Sequence, residues 1–284
     1  MTGPERGILL LCCRLSDGLQ PLTLAQYRKL GELVRKHGAP EDPDRDLTAA
    51  DLTETGLGAA ETERILRLLD RDALLDRSLA EWKRKKISVC TVKSPEYPQR
   101  LLKKLADDAP PVLFLRGDVS LLNRDGIALV GSRDLTLQGE LIAEQVGRMA
   151  ARKGLVLISG NARGADQAAQ KACLQAGGCV MSFVADRLMK QIPQNRVLYL
   201  SEESPERSFS ALRALRRNRL IHAAGSSTFV AQVTEGSGGT WSGAVKNLQA
   251  GWSPLYVHAD GSSGAKALTE RGAKPVTLHQ LTEE

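Results

Sequence analysis

From about residue 86 onward the sequence alternates short, mostly apolar runs with longer stretches of helical spacing, and this alternation restricts the fold most. The runs are Ile127–Val130, Leu155–Ile158, Cys179–Ala185, Thr228–Val233 and Leu255–His258. Helical stretches fall between them, near 137–152, 165–176, 211–223 and 241–250. A strand with one face in water alternates apolar and polar residues, whereas a run apolar at every position suits a strand covered on both faces. Such strands, separated by amphipathic helices, predict an α/β fold: an extended Rossmann-like, doubly wound and mainly parallel sheet.

The first part of the chain reads differently. Thr23 is placed to cap a helix whose apolar stripe is Leu24, Tyr27, Leu30 and Val34, with Gly38 as its stop. Residues 39–47 carry Pro40, Pro43 and four acidic side chains, as expected of a connecting loop. A second hairpin follows, in which Gly56-Leu57-Gly58 precedes a helix from Ala59 to Leu69 with Ile65, Leu66 and Leu69 on one side. The Gly-x-Gly turn resembles that of a helix-hairpin-helix, whose amides contact DNA phosphates; a plain helical turn uses glycine in the same way. The expected organisation is a small helical N-terminal domain over 1–85, of helix-hairpin-helix or SAM-like type, and the Rossmann-like domain over 86–284.

Composition narrows the function classes. In 284 residues, 42% hydrophobic content supplies a core without metal or disulfide staples. The net charge of +6 is unevenly spread: Arg207, Arg213, Arg216, Arg217 and Arg219 lie within thirteen residues, and Lys83, Arg84, Lys85 and Lys86 form a second run. Cys12, Cys13, Cys90, Cys173 and Cys179 include no Cys-x-x-Cys pair, and are expected as reduced thiols in a cytoplasmic protein. The run Ile8–Cys13 is too short for a signal-peptide core or a membrane span and is read as a buried strand or helical turn.

Ligands of a doubly wound sheet gather at the carboxyl ends of its strands, and unusual residues stand there. After Ile127–Val130 comes Gly131-Ser132-Arg133-Asp134-Leu135-Thr136, leading into a helix. Gly131 permits a tight turn, Ser132 and Thr136 offer hydroxyls, and Arg133 can close over an anion drawn to the free amides of the helix start. An ordinary strand-to-helix turn capped by Ser or Thr fits equally. The next strand end reads Ser159-Gly160-Asn161-Ala162-Arg163-Gly164-Ala165-Asp166, with Arg163 a second cation and Asp166 either its partner or a helix cap. Arg216, Arg217, Asn218 and Arg219 follow on a helix; a solvated basic face is the simple reading, yet residues so spaced cannot all point one way. Finally, Glu235-Gly236-Ser237-Gly238-Gly239-Thr240 allows close backbone approach, with Ser237 and Thr240 available to a phosphate or as caps.

Taken in order, these elements resemble the DNA-processing protein A (DprA/Smf) family. Its GSRxxTxxG signature matches Gly131–Gly139, its SGxAxGxD entry matches Ser159–Asp166, and its RNRxI motif stands intact at Arg217–Ile221. A YPxxNxxL segment is echoed by Ile192–Leu198, the Ser-Gly motif fits Ser237-Gly238 through Ala244, and Glu96–Leu101, Pro110–Gly117 and Gly264–Ala273 match further family segments. The likeness covers residues 86–276, with no winged-helix tail expected beyond. It implies a single-stranded DNA-binding pocket, homodimer formation and delivery of a RecA-type recombinase onto DNA. By matched position, Gly131, Ser132, Arg133, Arg163, Arg217, Asn218 and Arg219 form that pocket; Thr136, Ser159, Gly160, Asp166, Arg216, Ser237 and Gly238 complete the candidate set. The chain departs from the family with Gln170 where His is usual, Gln232 where Glu is usual, and Asn161 in place of an apolar residue.

No enzyme is expected. His37, His222, His258 and His279 share no metal-ligand spacing, no Ser-His-Asp set is apparent, and no cofactor motif is present. The alternative is a nucleotide sensor or hydrolase of the same superfamily, working in phage defence. The hydrolases resemble one another in a GGxGTxxE loop, whereas here no glutamate follows Thr240 in Gly238–Gly243. Aromatic content of 4% argues against an extended stacking platform, so arginines and loop amides are expected to dominate phosphate capture, with one base inserted.

Overall fold

The computed structural model describes residues 1–37 and 47–283, in two compact units. Gly38 and loop residues 39–46 of the expectation above lie outside the described residues. The first unit comprises Met1–Tyr97, Asp107–Phe114 and Glu202–Ser204; the second comprises Pro98–Ala106, Leu115–Ser201 and Pro205–Glu284.

The first unit carries helices α1 (Gly3–Cys12), α2 (Leu24–Lys36), α3 (Ala49–Glu54), α4 (Ala59–Leu69) and α5 (Asp72–Arg84), then strand β1 (Ile87–Thr91). The apolar run at Ile8 is thus part of a helix. Pro4 stands in its first turn and Thr2 forms a reciprocal capping box with Glu5, so the start is specified locally. Ile8, Leu9, Leu10 and Leu11 are all buried because this helix is enclosed on several sides, which hides its amphipathic period. Thr23 caps α2 in a box with Gln26, and Thr48 caps α3 with Asp51. Leu11, Leu22, Leu30, Leu52, Ile65 and Leu68 form a core cluster beneath α1, α2, α3 and α4. On α4 the fully buried apolar residues are Ile65 and Leu68, with Leu66 and Leu69 at the margin. The guanidinium of Arg71 is buried beneath these helices, donating to the carbonyls of Leu68 (3.0 Å), Cys13 (3.2 Å) and Leu10 and pairing with Asp17 at 3.3 Å.

The second unit opens with α6 (Gln99–Leu105); strand β2 (Val112–Gly117) ends inside it. Strands β3 (Gly126–Val130), β4 (Val156–Ser159), β5 (Cys179–Phe183), β6 (Val197–Ser201), β7 (Thr228–Val230), β8 (Leu255–His258) and β9 (Lys274–Val276) follow. Helices α7 (Leu137–Arg152), α8 (Ala165–Gln175), α9 (Ala211–Ala224), α10 (Gly238–Ala250), α11 (Ser263–Glu270) and α12 (Leu278–Glu283) connect or follow them. The strands lie in the order β6-β5-β4-β3-β7-β8-β9 with parallel pairing throughout. The chain runs outward from β3 to β6, then restarts on the other side of β3 with β7. That is the doubly wound arrangement expected, and its switch point lies beside β3.

Every residue of β3, β4 and β6 is buried, which explains their apolar composition. Gly147 lets α7 approach α8: a Cβ there would lie 2.2 Å from the carbonyl oxygen of Ala169. Two expected strands end early, at Phe183 and Val230, so that residues 184–185 and 231–233 become loop. Strand β9 escapes the periodicity argument because it is three residues long, contains Pro275 and buries only Val276.

Candidate nucleic-acid interface

The carboxyl ends of β3, β4 and β5, with the approach to α9, enclose a cleft of about 350 Å³. Arg133 comes from the loop after β3, and Gly160, Asn161, Ala162 and Arg163 come from the loop after β4. Val184, Ala185 and Asp186 follow β5; Gln191, Phe209 and Arg217 complete the lining.

The three arginines differ sharply. Arg133 is exposed, its guanidinium carbon 5.7 Å from the centre of the Phe209 ring. Arg163 pairs with Asp134 at 2.5 Å, but the side chains are 72% and 86% exposed. An ion pair so wet is worth little, and Arg163 can exchange its carboxylate for a phosphate oxygen at small cost. Arg217 is only 7% exposed and forms the floor. Its Nη1 donates to the carbonyl of Gly160 at 2.6 Å and to that of Phe183, joining the ends of β4 and β5. Gly160 is glycine for a visible reason: a Cβ would fall 2.5 Å from that same nitrogen.

Asp166 lies beneath the loop after β4. Its Oδ2 accepts from the amides of Gly160 (3.1 Å) and Ala162 (3.0 Å). Burial pushes its carboxyl above the usual carboxylate range; the nearby Arg217 charge and the two amides pull the other way. Asp166 takes neither of the two roles expected of it: Arg163 pairs with Asp134 instead, and α8 starts from Gly164 without a side-chain cap, because Asp166 is turned inward to the loop amides. The amide cradle expected after β3 also changes, because the amides of Ser132, Asp134, Thr136 and Gly139 are taken by the Gln232 carbonyl, Ser132 Oγ, Gln232 Oε1 and Thr136 Oγ1.

The hydroxyls are similarly engaged. Ser132 Oγ donates to the carbonyl of Asp134 at 2.9 Å and accepts from its amide, closing a local turn. Thr136 caps α7 through the amide of Gly139, while its own amide and hydroxyl donate to Gln232 Oε1 at 2.8 and 3.0 Å. Gln232 also donates to the carbonyl of Asp134, so it fastens this loop at both ends. Ser159 is fully buried and accepts from Gln170 Nε2 at 2.5 Å; the same amide reaches Ser182 Oγ at 3.1 Å. Gln170 and Gln232, two of the three departures from the family pattern, are thus fitted into local hydrogen-bond networks. Gly131 stands tight against Ala165, where a Cβ would come within 2.5 Å.

Helix α9 resolves the basic run by direction. Arg217 faces the cleft floor, and Asn218 donates to the carbonyl of Gly239 at 3.1 Å, tying α9 to the first turn of α10. Arg216 is exposed, and Arg219 bonds back to the Arg216 carbonyl at 2.8 Å. Ser237 and Gly238 are exposed at the start of α10 and do not line the cleft. The Gly56–Gly58 turn of the first unit lines a separate groove with Leu22, Leu30, Leu33 and Ile65.

The structure adds residues that the sequence reading did not select. Phe209 is 51% exposed, and its amide donates to Asp186 Oδ1 at 2.8 Å. Its signal was a lone aromatic between two serines in a polar stretch. Asn161 Nδ2 donates to Gln191 Oε1 at 3.1 Å, and Gln191, thirty residues away, carried no local signal. Among the described residues no group of His, Cys, Asp and Glu could hold a metal, and no helix is long and apolar enough to cross a membrane.

Comparison with known proteins places this arrangement. "DNA processing protein DprA" of Bacillus subtilis is 26% identical over 246 residues, covering 82% of this chain and 78% of the relative. The X-ray structure of DNA processing protein A from Streptococcus pneumoniae superposes with a TM-score of 0.76 at 25% identity, covering 100% of this chain and 98% of that one. A Helicobacter pylori DNA processing protein A, described for its single-stranded DNA binding mode, superposes at 0.58 with 23% identity, over 70% of this chain and 93% of that one. The sequence model described as DNA recombination-mediator protein A matches residues 88–284, and the chain belongs to that family.

Proposed function

We propose that this chain binds single-stranded DNA at the cleft beyond β3, β4 and β5, as a binding protein rather than an enzyme. One observation carries the reading: two solvent-facing arginines on neighbouring loops flank a cleft whose floor is a third, buried arginine. Arg133 and Arg163 capture successive phosphates, and Arg217 lends positive potential from below while holding the loops in place. With Ser132, Thr136, Gly160 and Ala162 already satisfied internally, guanidinium groups rather than hydroxyls or amides carry phosphate capture. Phe209 offers one ring on which a base can stack. The single-stranded DNA binding described for the Helicobacter pylori relative supports the ligand class. Action as a homodimer in the cytoplasm, protection of the strand and its transfer to a RecA-type recombinase extend this reading.

The test compares single- and double-stranded oligonucleotides across a salt titration. Single-strand affinity is expected to fall with a log–log slope of about 0.7 per phosphate neutralised. Arg133→Ala and Arg163→Ala should each weaken binding and make that slope shallower by about 0.7. A slope unchanged in both variants would place the phosphates elsewhere.

A further inference from the structure

Asn161 stands in the left-handed backbone region, with φ of 58°, in the loop after β4. Asparagine tolerates that conformation better than most residues other than glycine. Its carboxamide lines the cleft, and one hydrogen of Nδ2 is used in the 3.1 Å bond to Gln191 Oε1. Gln191 is anchored in turn by a long 3.5 Å contact from its Nε2 to the carbonyl of Arg187. The Asn161 side chain is therefore oriented by a neighbour, while Oδ1 and the second Nδ2 hydrogen remain as an adjacent acceptor and donor.

That pair is a base-reading edge. A carboxamide forms two parallel hydrogen bonds with adenine, donating to N7 and accepting from the N6 amino group. Guanine presents two acceptors, N7 and O6, in the corresponding places, and O6 would meet Oδ1 acceptor to acceptor. The cleft of about 350 Å³ lies within the range of small-ligand sites and accommodates a purine base beside Phe209. Phosphates on Arg133 and Arg163 would sit at its rim.

We propose that Asn161, held by Gln191, reads the edge of the base entering this cleft and favours adenine, above all over guanine. The inference rests on the single-stranded DNA reading and adds a specificity to it. Stacking on Phe209 alone would accept every base; the oriented carboxamide of Asn161 supplies the hydrogen-bonding edge that discriminates.

The experiment measures binding of d(TTA)4 and d(TTG)4 by fluorescence anisotropy at fixed salt, to the full chain and its variants. The wild type is expected to hold the adenine strand at least about fivefold more tightly, the lower end of discrimination for a bidentate contact. Asn161→Gly, which keeps the backbone conformation without strain, should bring the two affinities together while leaving the salt slope unchanged. Gln191→Leu should narrow the difference by freeing the carboxamide. Replacing the adenines by 7-deazaadenine should remove the advantage in the wild type. Equal wild-type affinities, or a preference that survives Asn161→Gly, would overturn the proposal. Free AMP binding as tightly as the adenine strand would also overturn it, by placing the base in a mononucleotide. Loss of binding to every strand by the wild type would instead count against the single-stranded DNA reading itself.

Discussion

Each unit contains a buried arginine, and the two serve different ends. Arg71 and Arg217 are 3% and 7% exposed, and both spend their donors on backbone carbonyls. Around Arg71 the carbonyls belong to Leu68, Leu10 and Cys13, and Asp17 supplies the countercharge, so the guanidinium staples helices together. Around Arg217 they belong to two strand ends that border an open cleft, with Asp166 below and exposed arginines above. The first arginine is enclosed by what it binds. The second shapes a surface and projects charge toward it. Burial of a cation is therefore no measure of its role; what lies on its open side decides.

The contrast can be broken most forcefully at Arg71. Arg71→Met leaves three carbonyls without their donor and Asp17 without its partner, and is expected to cost about 3–5 kcal/mol. Denaturant melts followed through the tryptophans would show it, and single-strand affinity below the transition should remain unchanged. A loss of affinity without a loss of stability would erase the distinction.

Gly160→Ala tests the other arginine. The new Cβ falls 2.5 Å from Nη1 of Arg217, which two carbonyls hold in place, so the guanidinium must move. The expected penalty is smaller, about 1–3 kcal/mol, but oligonucleotide affinity should fall with it. Wild-type affinity in Gly160→Ala would show that Arg217 contributes only scaffolding.

A third prediction concerns His222, five residues beyond Arg217 on α9. The imidazole is fully buried, its Nδ1 3.3 Å from Thr228 Oγ1, and burial lowers its pKa from 6.5 to about 3. The folded state binds fewer protons than the unfolded state between those values. This contribution to stability is complete above pH 6.5 and declines by about 1.4 kcal/mol for each pH unit below, until the folded value is reached. Melts of wild type and His222→Phe from pH 7 to pH 4 would isolate it, the variant's curve being flatter. Parallel curves would mean the imidazole is not desolvated as its burial implies.

The legibility of these features follows from their range. The cap at Thr23 and the apolar runs of β3, β4 and β8 are local, so composition and spacing reveal them; the equally local box at Thr2 escapes notice because the run after it, apolar at every position, shows no helical period. Strand β6 gives a weaker signal, because its five residues have no helix immediately after them to complete the alternation. Arg217 was selected as a cation, yet its burial depends on Gly160 and Phe183, respectively fifty-seven and thirty-four residues away. Gln191 and Phe209 were missed for the same reason.

By itself the sequence determined the doubly wound α/β architecture of the second unit, the family, and the loops at which charge gathers. Those follow from hydrophobic periodicity and from short motifs, whose physics is confined to a few consecutive residues. Only the tertiary structure decided which polar groups remain available there. It turned Asp166, Ser159 and Arg217 inward and left Arg133, Arg163 and Asn161 facing the cleft. A hydrogen-bonding side chain is free or occupied according to neighbours that the fold delivers from distant strands, and no local pattern encodes that choice.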